Sequence, residues 1–112
     1  MSYHMEFKTG DIDDVGAVLK ENGIAIDLID ATVTFILKNN TETKYTIQCV
    51  LGGYFNGEYI YPSNGGVTIP FTEVELSTEG QYQGEFIVSK NNRSVKIPSG
   101  NNYILIMVWP AL

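Results

Sequence analysis

The chain is poor in the side chains that carry chemistry. Histidine, cysteine and tryptophan each occur once in 112 residues. One cysteine, Cys49, excludes an internal disulfide and suits a reducing compartment. One histidine and one cysteine together leave a structural zinc site short of ligands. Nucleophilic catalysis needs a base, usually histidine, held beside a serine or cysteine by a third group. His4 stands close to a chain end and reads as a solvated strand-end residue. Cys49 shares the apolar parity of Tyr45, Ile47 and Leu51, which marks it as a small core residue rather than a reactive thiol. The sequence also has no Gly-x-Ser-x-Gly turn and no phosphate-cradling glycine loop.

Basic residues are missing from a long stretch. Between Lys44 and Lys90 there is none, while Glu58, Glu73, Glu75, Glu79 and Glu85 all fall there, and the net charge is −6. Such a surface repels phosphate backbones and anionic lipid, so neither nucleic acid nor membrane is an expected partner. The same acidity also serves solubility. Long apolar runs are absent too: the longest spans residues 103–109, far short of the roughly 20 residues needed to cross a bilayer. Residues 1–6 lack the basic and apolar regions of a secretory signal.

What is present is alternation. With 44% hydrophobic and 18% charged residues the composition is that of a folded chain, and its length suits one domain over residues 1–112. Val33, Phe35 and Leu37 alternate with polar neighbours, as do Tyr45, Ile47, Cys49 and Leu51, then Val67, Ile69 and Phe71, then Tyr82, Phe86 and Val88. Successive strand residues point to opposite faces, so each run supplies one buried and one wetter side. The spacing predicts an all-β, antiparallel sandwich of about seven or eight strands. Asn22-Gly23, Asn56-Gly57 and Asn64-Gly65 are hairpin-turn dipeptides, whereas Asn39-Asn40 and Asn91-Asn92 read as looser loops. The best place for a helical turn is residues 13–21, although Gly16 interrupts it.

Carboxylates offer little. Asp11, Asp13 and Asp14 supply oxygen ligands without the spacing of a calcium loop, and read as an exposed acidic loop. Glu73 and Glu75 share one face if their segment is extended, with Glu85 on a neighbouring strand, which is what any solvent-facing strand shows. No catalytic residue, cofactor-binding residue or metal ligand is assigned, and no enzyme activity is expected.

Two segments have binding character. Tyr54, Phe55, Tyr59 and Tyr61 crowd around Asn56-Gly57, with Tyr54 expected opposite Tyr59 and Phe55 opposite Glu58. Such a hairpin is either stabilised by its own aromatic ladder, or a protein-contacting loop, or a sugar platform. The other segment is residues 103–109, where both parities are apolar, so only one can face a sandwich core. Ile104, Ile106 and Val108 are the expected contact residues there, covered by a loop or another subunit.

Phe7-Lys8-Thr9-Gly10-Asp11, then Asn22-Gly23, then Asp27-Leu28-Ile29-Asp30-Ala31-Thr32-Val33-Thr34-Phe35 resemble the opening of the immunoglobulin-like N-terminal domain of bacteriophage baseplate upper proteins. The resemblance returns at Glu79-Gly80-Gln81-Tyr82-Gln83-Gly84-Glu85-Phe86-Ile87-Val88 and continues more weakly through Ile97-Pro98 and Asn102 to Ile106, so that it covers residues 7–36 and 79–106. It implies an immunoglobulin-like fold and a non-enzymatic tail or baseplate component, made in the bacterial cytoplasm and carried in the virion. Its partners would be other tail or baseplate proteins, or copies of itself. A carbohydrate-binding module for host-wall adsorption and an assembly factor absent from the virion are the alternatives. The long extension that follows this domain in the family is not expected after Trp109.

Overall fold

The alternating runs form strands. The computed structural model describes residues 3–10, 13–39 and 42–110. Among them lie β1 (Tyr3–Lys8), β2 (Asp13–Val18), β3 (Lys20–Glu21), β4 (Ile24–Ala25), β5 (Thr32–Asn39), β6 (Glu42–Gln48), β7 (Val50–Leu51), β8 (Gly53–Phe55), β9 (Glu58–Ile60), β10 (Gly66–Phe71), β11 (Gly80–Lys90), β12 (Arg93–Ile97) and β13 (Ile104–Trp109). Five of these thirteen, β3, β4, β7, β8 and β9, span only two or three residues, which leaves the eight longer strands that the periodicity implies. The only helical element among the described residues is one 3-10 turn at Pro62–Asn64, and none is long and apolar enough to cross a membrane.

Two sheets pack face to face. The larger runs β1-β13-β11-β5-β6, with β12 also on β11; the smaller runs β2-β10-β7. β1 lies parallel to β13, while the other pairings are antiparallel. From the larger sheet, Val33, Phe35, Leu37, Tyr82, Phe86 and Val88 meet Val67, Ile69 and Phe71 of β10 in one core. Phe35 stands edge-on to both Phe86 (4.9 Å) and Phe71 (5.8 Å), tying the layers together. Tyr82, at the start of β11, donates its hydroxyl to the Thr78 carbonyl four residues upstream (2.8 Å), the tyrosine corner of immunoglobulin-like sandwiches. Burial, with Tyr45 adding to it, pushes that hydroxyl above its ordinary value of 10, which keeps it a donor.

Four expectations are corrected. Residues 13–21 form β2 and β3 rather than a helical turn, because Val15 and Ala17 pair with Ile69 and Val67 across β10. Asn91-Asn92 is a tight two-residue hairpin turn, both residues at positive φ, closing Lys90 onto Arg93. Glu73 and Glu75 share no strand face: the Glu75 carboxylate accepts from the Thr72 N–H (2.8 Å) and hydroxyl (2.7 Å), folding that segment into turns. The last correction concerns β13. Ile104, Ile106 and Val108 are buried, with Ile106 wholly enclosed, so they offer no contact surface. Register decides this, since Ile106 lies beside Met5 of β1 and opposite Tyr82 of β11, and Val108 lies beside Phe7. The parity of Leu105, Met107 and Trp109 faces outward, where the Trp109 indole donates to Glu6 (3.0 Å).

Candidate functional site

The aromatic segment folds as the sequence implies. Asn56 (φ 53°) and Gly57 (φ 81°) form a two-residue turn whose twist matches its strands. β8 and β9 pair Gly53 with Ile60, Tyr54 with Tyr59, and Phe55 with Glu58. Period-two geometry then puts Tyr54, Tyr59 and Tyr61 on one face. Their rings form an edge-to-face ladder, 5.3 Å between Tyr54 and Tyr59 and 5.2 Å between Tyr59 and Tyr61, at 71° and 84°. All three are exposed, Tyr54 by 69% and Tyr61 by 62%, and Phe55 is exposed on the opposite side of the hairpin. Edge-to-face packing stabilises the ladder by about 0.5–1.5 kcal/mol per pair beyond area burial, so the rings hold one another in place while staying accessible.

The hairpin is seated as a third layer on the outer face of the smaller sheet. Val15, Ala17, Val67 and Ile69 point into the core, which turns Gly16, Gly66 and Thr68 outward. A β-carbon on Gly16 would collide with the Tyr54 carbonyl, and one on Gly66 with the Ile60 carbonyl. A β-carbon on Gly53 would stand 2.7 Å from the Val67 carbonyl oxygen. Glycine at all three positions lets backbone lie on backbone. The Thr68 hydroxyl donates to the Gly52 carbonyl (2.7 Å) and the Gly52 N–H donates to the Gly66 carbonyl (2.8 Å). The seat was not recognised from sequence. Its signal was Gly16 inside a β-patterned run and the doublets Gly52-Gly53 and Gly65-Gly66, which mark close backbone approach.

The remaining polar features are structural. Glu85, buried on the outer side of β11, bridges Lys38 (2.6 Å) and Lys96 (3.2 Å). Burial pushes its carboxyl up, but the hydrogen bonds and charges of both lysines outweigh it and hold the group below its ordinary value. Lys96 also donates to the carbonyls of Pro98 (2.6 Å), Gly100 (3.0 Å) and Asn102 (2.7 Å), so its ammonium organises the loop between β12 and β13. A cavity of about 200 Å³ beside these groups is lined by Gln83, Asn101 and Tyr103, among others, and both lysine heads at its edge are already engaged. Desolvation pushes the buried Cys49 thiol up to about 12, which keeps it protonated and inert. The His4 side chain, Asp11 and the Asp13 side chain lie outside the described residues. Among the described residues no three metal-ligating side chains converge. The structure thus brings Tyr54, Tyr59 and Tyr61 together, leaves Phe55 beside them on the other face, and puts Ile104, Ile106 and Val108 in the core.

This three-layer chain is similar in fold to the N-terminal domain of phage TP901-1 ORF48. The TM-score is 0.60 at 14% sequence identity, covering 97% of this chain and 85% of that one. At that identity the likeness concerns the fold. No protein-family model matches the chain, and no curated protein does.

Proposed function

We propose that this chain is a non-enzymatic bacteriophage structural protein, a tail or baseplate component that acts through protein-protein contacts. The observation that carries the reading is the tyrosine ladder of β8 and β9, exposed and yet fixed on a backbone-to-backbone seat. Rigid aromatic side chains with polar tips give large contact area for little ordering entropy, which is why tyrosine dominates the energetics of many interfaces. The phage setting is supported by the resemblance of residues 7–36 and 79–106 to the N-terminal domain of baseplate upper proteins, and by the fold shared with a domain of a phage protein. Baseplates repeat their parts about the tail axis, so a patch of modest affinity gains by multiplicity.

A sugar platform fits the ladder less well. Stacking on a pyranose needs open ring faces lying in one plane, whereas neighbouring rings here turn 71° and 84° from each other. The test is quantitative mass spectrometry of purified virions of the parent phage, together with Tyr54→Ala and Tyr59→Ala in one chain. Several copies per particle, and loss of incorporation by the double variant at nearly unchanged melting temperature, are expected. Absence from clean virions would overturn the structural reading and leave an assembly factor.

A further inference from the structure

The chain contains three Asn-Gly pairs, at 22–23, 56–57 and 64–65, and the fold treats each differently. Asn-Gly is especially prone to deamidation, because glycine has no side chain to shield the nitrogen that attacks. That nitrogen loses its proton to base, bonds to the asparagine Cγ and expels Nδ2 as ammonia, closing a five-membered succinimide. Water then opens the ring. Addition at Cγ breaks the new N–Cγ bond and gives aspartate. Addition at the main-chain carbonyl breaks the original peptide bond and gives isoaspartate, with the backbone rerouted through Cβ and Cγ. Either way an amide and a water become a carboxylate and an ammonium ion.

Folded turns hold this reaction off. Ring closure needs Cβ and the next nitrogen nearly eclipsed about the Cα–C bond. Asn22 (φ 54°) and Asn56 (φ 53°) lie in the left-handed well, where a ψ of about +47° puts those two atoms almost opposite each other. The turn must therefore open before it reacts, and what opposes opening differs among the three pairs. Gly65 is buried; its N–H donates to the Pro62 carbonyl (3.0 Å) and its carbonyl accepts from the Leu19 N–H (2.9 Å). Gly23 and Gly57 are exposed, and among the described residues no hydrogen bond takes either N–H or the side chain of Asn22 or Asn56. β3 and β4 pair over only two residues each. β8 and β9 pair over three, reinforced by the ring ladder and by the seat over Gly16.

Resting on the reading of the ladder as a contact surface, we infer that Asn56-Gly57 is a spontaneous deamidation site, gated by opening of the hairpin, that retires the tyrosine face with age. Isoaspartate adds one backbone atom to a two-residue turn, so Tyr54 and Tyr59 lose the register that sets their rings 5.3 Å apart. Aspartate at the same position adds a negative charge at the tip, two residues from Glu58. The seat then has a second role: by keeping the hairpin closed it sets the chemical lifetime of the surface it presents.

The test ages the intact chain in mildly alkaline buffer and maps its peptides by mass spectrometry, with chromatography separating isoaspartate from aspartate. Asn22 is expected to convert first, then Asn56, then Asn64, and in urea the three rates should converge. Gly16→Ala, which pushes on the Tyr54 carbonyl, should speed Asn56 about five- to thirtyfold and leave Asn22 as it was. Gly57→Asn keeps the turn but shields the nitrogen, and should slow Asn56. Conversion of Asn56 as fast in the folded chain as in urea would overturn the gate, and conversion no faster than that of Asn64 would overturn the site. An unchanged Asn56 rate in Gly16→Ala would sever the link to the seat. The consequence is read in an Asn22→Gly background, a turn that glycine also accepts, so that Asn56 is the early site of change. Aged chain should enter assembling particles less readily than fresh chain, and equal entry would refute the loss of the face. Normal incorporation of the Tyr54→Ala, Tyr59→Ala chain, by contrast, removes the contact reading itself and leaves the order of conversion standing.

Discussion

Gly16→Ala tests the seat on which the proposed function depends. A β-carbon there would lie 2.7 Å from the Tyr54 carbonyl carbon, 3.2 Å from its nitrogen, and closer still to its oxygen. Unstrained carbon contacts lie at about 3.5–4.0 Å, so the hairpin has to rise by roughly 1 Å or more. That movement stretches the hydrogen bond from Thr68 to the Gly52 carbonyl, now 2.7 Å, and opens the contact between Gly53 and Val67. Overpacking of this kind costs about 1–3 kcal/mol. Alanine restricts the unfolded chain and returns about 0.4–1 kcal/mol, since Gly16 is not at positive φ. The net loss is about 1–2 kcal/mol, and for a chain of this size each kcal/mol lowers Tm by roughly 4 °C.

Thermal melts give that total, and hydrogen exchange gives its location. Protection should fall in β8 and β9 while the amides of β5 and β11 keep theirs. Gly57→Asn is the control. Gly57 sits at φ 81° with nothing within 4 Å of an added β-carbon, and asparagine tolerates that conformation, so the cost should stay below about 1 kcal/mol. If Gly16→Ala leaves Tm and hairpin protection unchanged, the third layer is not held as described. The fixed presentation of the tyrosines then fails with it.

Glu85→Gln should destabilise the chain by about 1–2 kcal/mol at neutral pH, a modest figure because both lysines are about one-third exposed. Native Glu85 lies below its ordinary value of 4.5 in the folded state, so its contribution is complete above that pH and fades as acid carries the pH through the folded value. Melts of the two proteins should therefore converge in acid; a gap that persists or widens there would contradict the ion-pair account. Cys49, its thiol pushed up to about 12 by burial, should resist an alkylating reagent in the native protein and react once urea unfolds it, read as a mass shift. Ile106→Ala should cost about 2–5 kcal/mol, because Ile106 is fully enclosed. Met107→Ala, on the outward parity, should cost less than about 1 kcal/mol, and equal effects in denaturant titrations would refute the assigned orientation of β13.

How much of this was legible depends on how far each determinant acts along the chain. Strand alternation is local, so Val33, Phe35 and Leu37 announced their face, and Asn56-Gly57 announced a turn that puts Tyr54 opposite Tyr59. β13 was misread because both of its parities are apolar; the choice between them is made by β1 at the other end of the chain and by Tyr82 on β11. Glu85 looked like one more acid in an acidic stretch, and only the sheet brings Lys38 and Lys96 to it. The site divides along the same line. Its aromatic side chains are adjacent in sequence and could be named, whereas the surface that makes them usable could not. A glycine within a strand says that something approaches closely, not what approaches. Gly16 acquires meaning only when Tyr54 is laid across it, and at that point the ladder stops being a hairpin stabilised by itself and becomes a rigid face. Without the seat, an isolated two-stranded hairpin in water is marginal at best. The glycines of the smaller sheet therefore belong to the contact site as much as the tyrosines do, although none of their atoms need touch a partner.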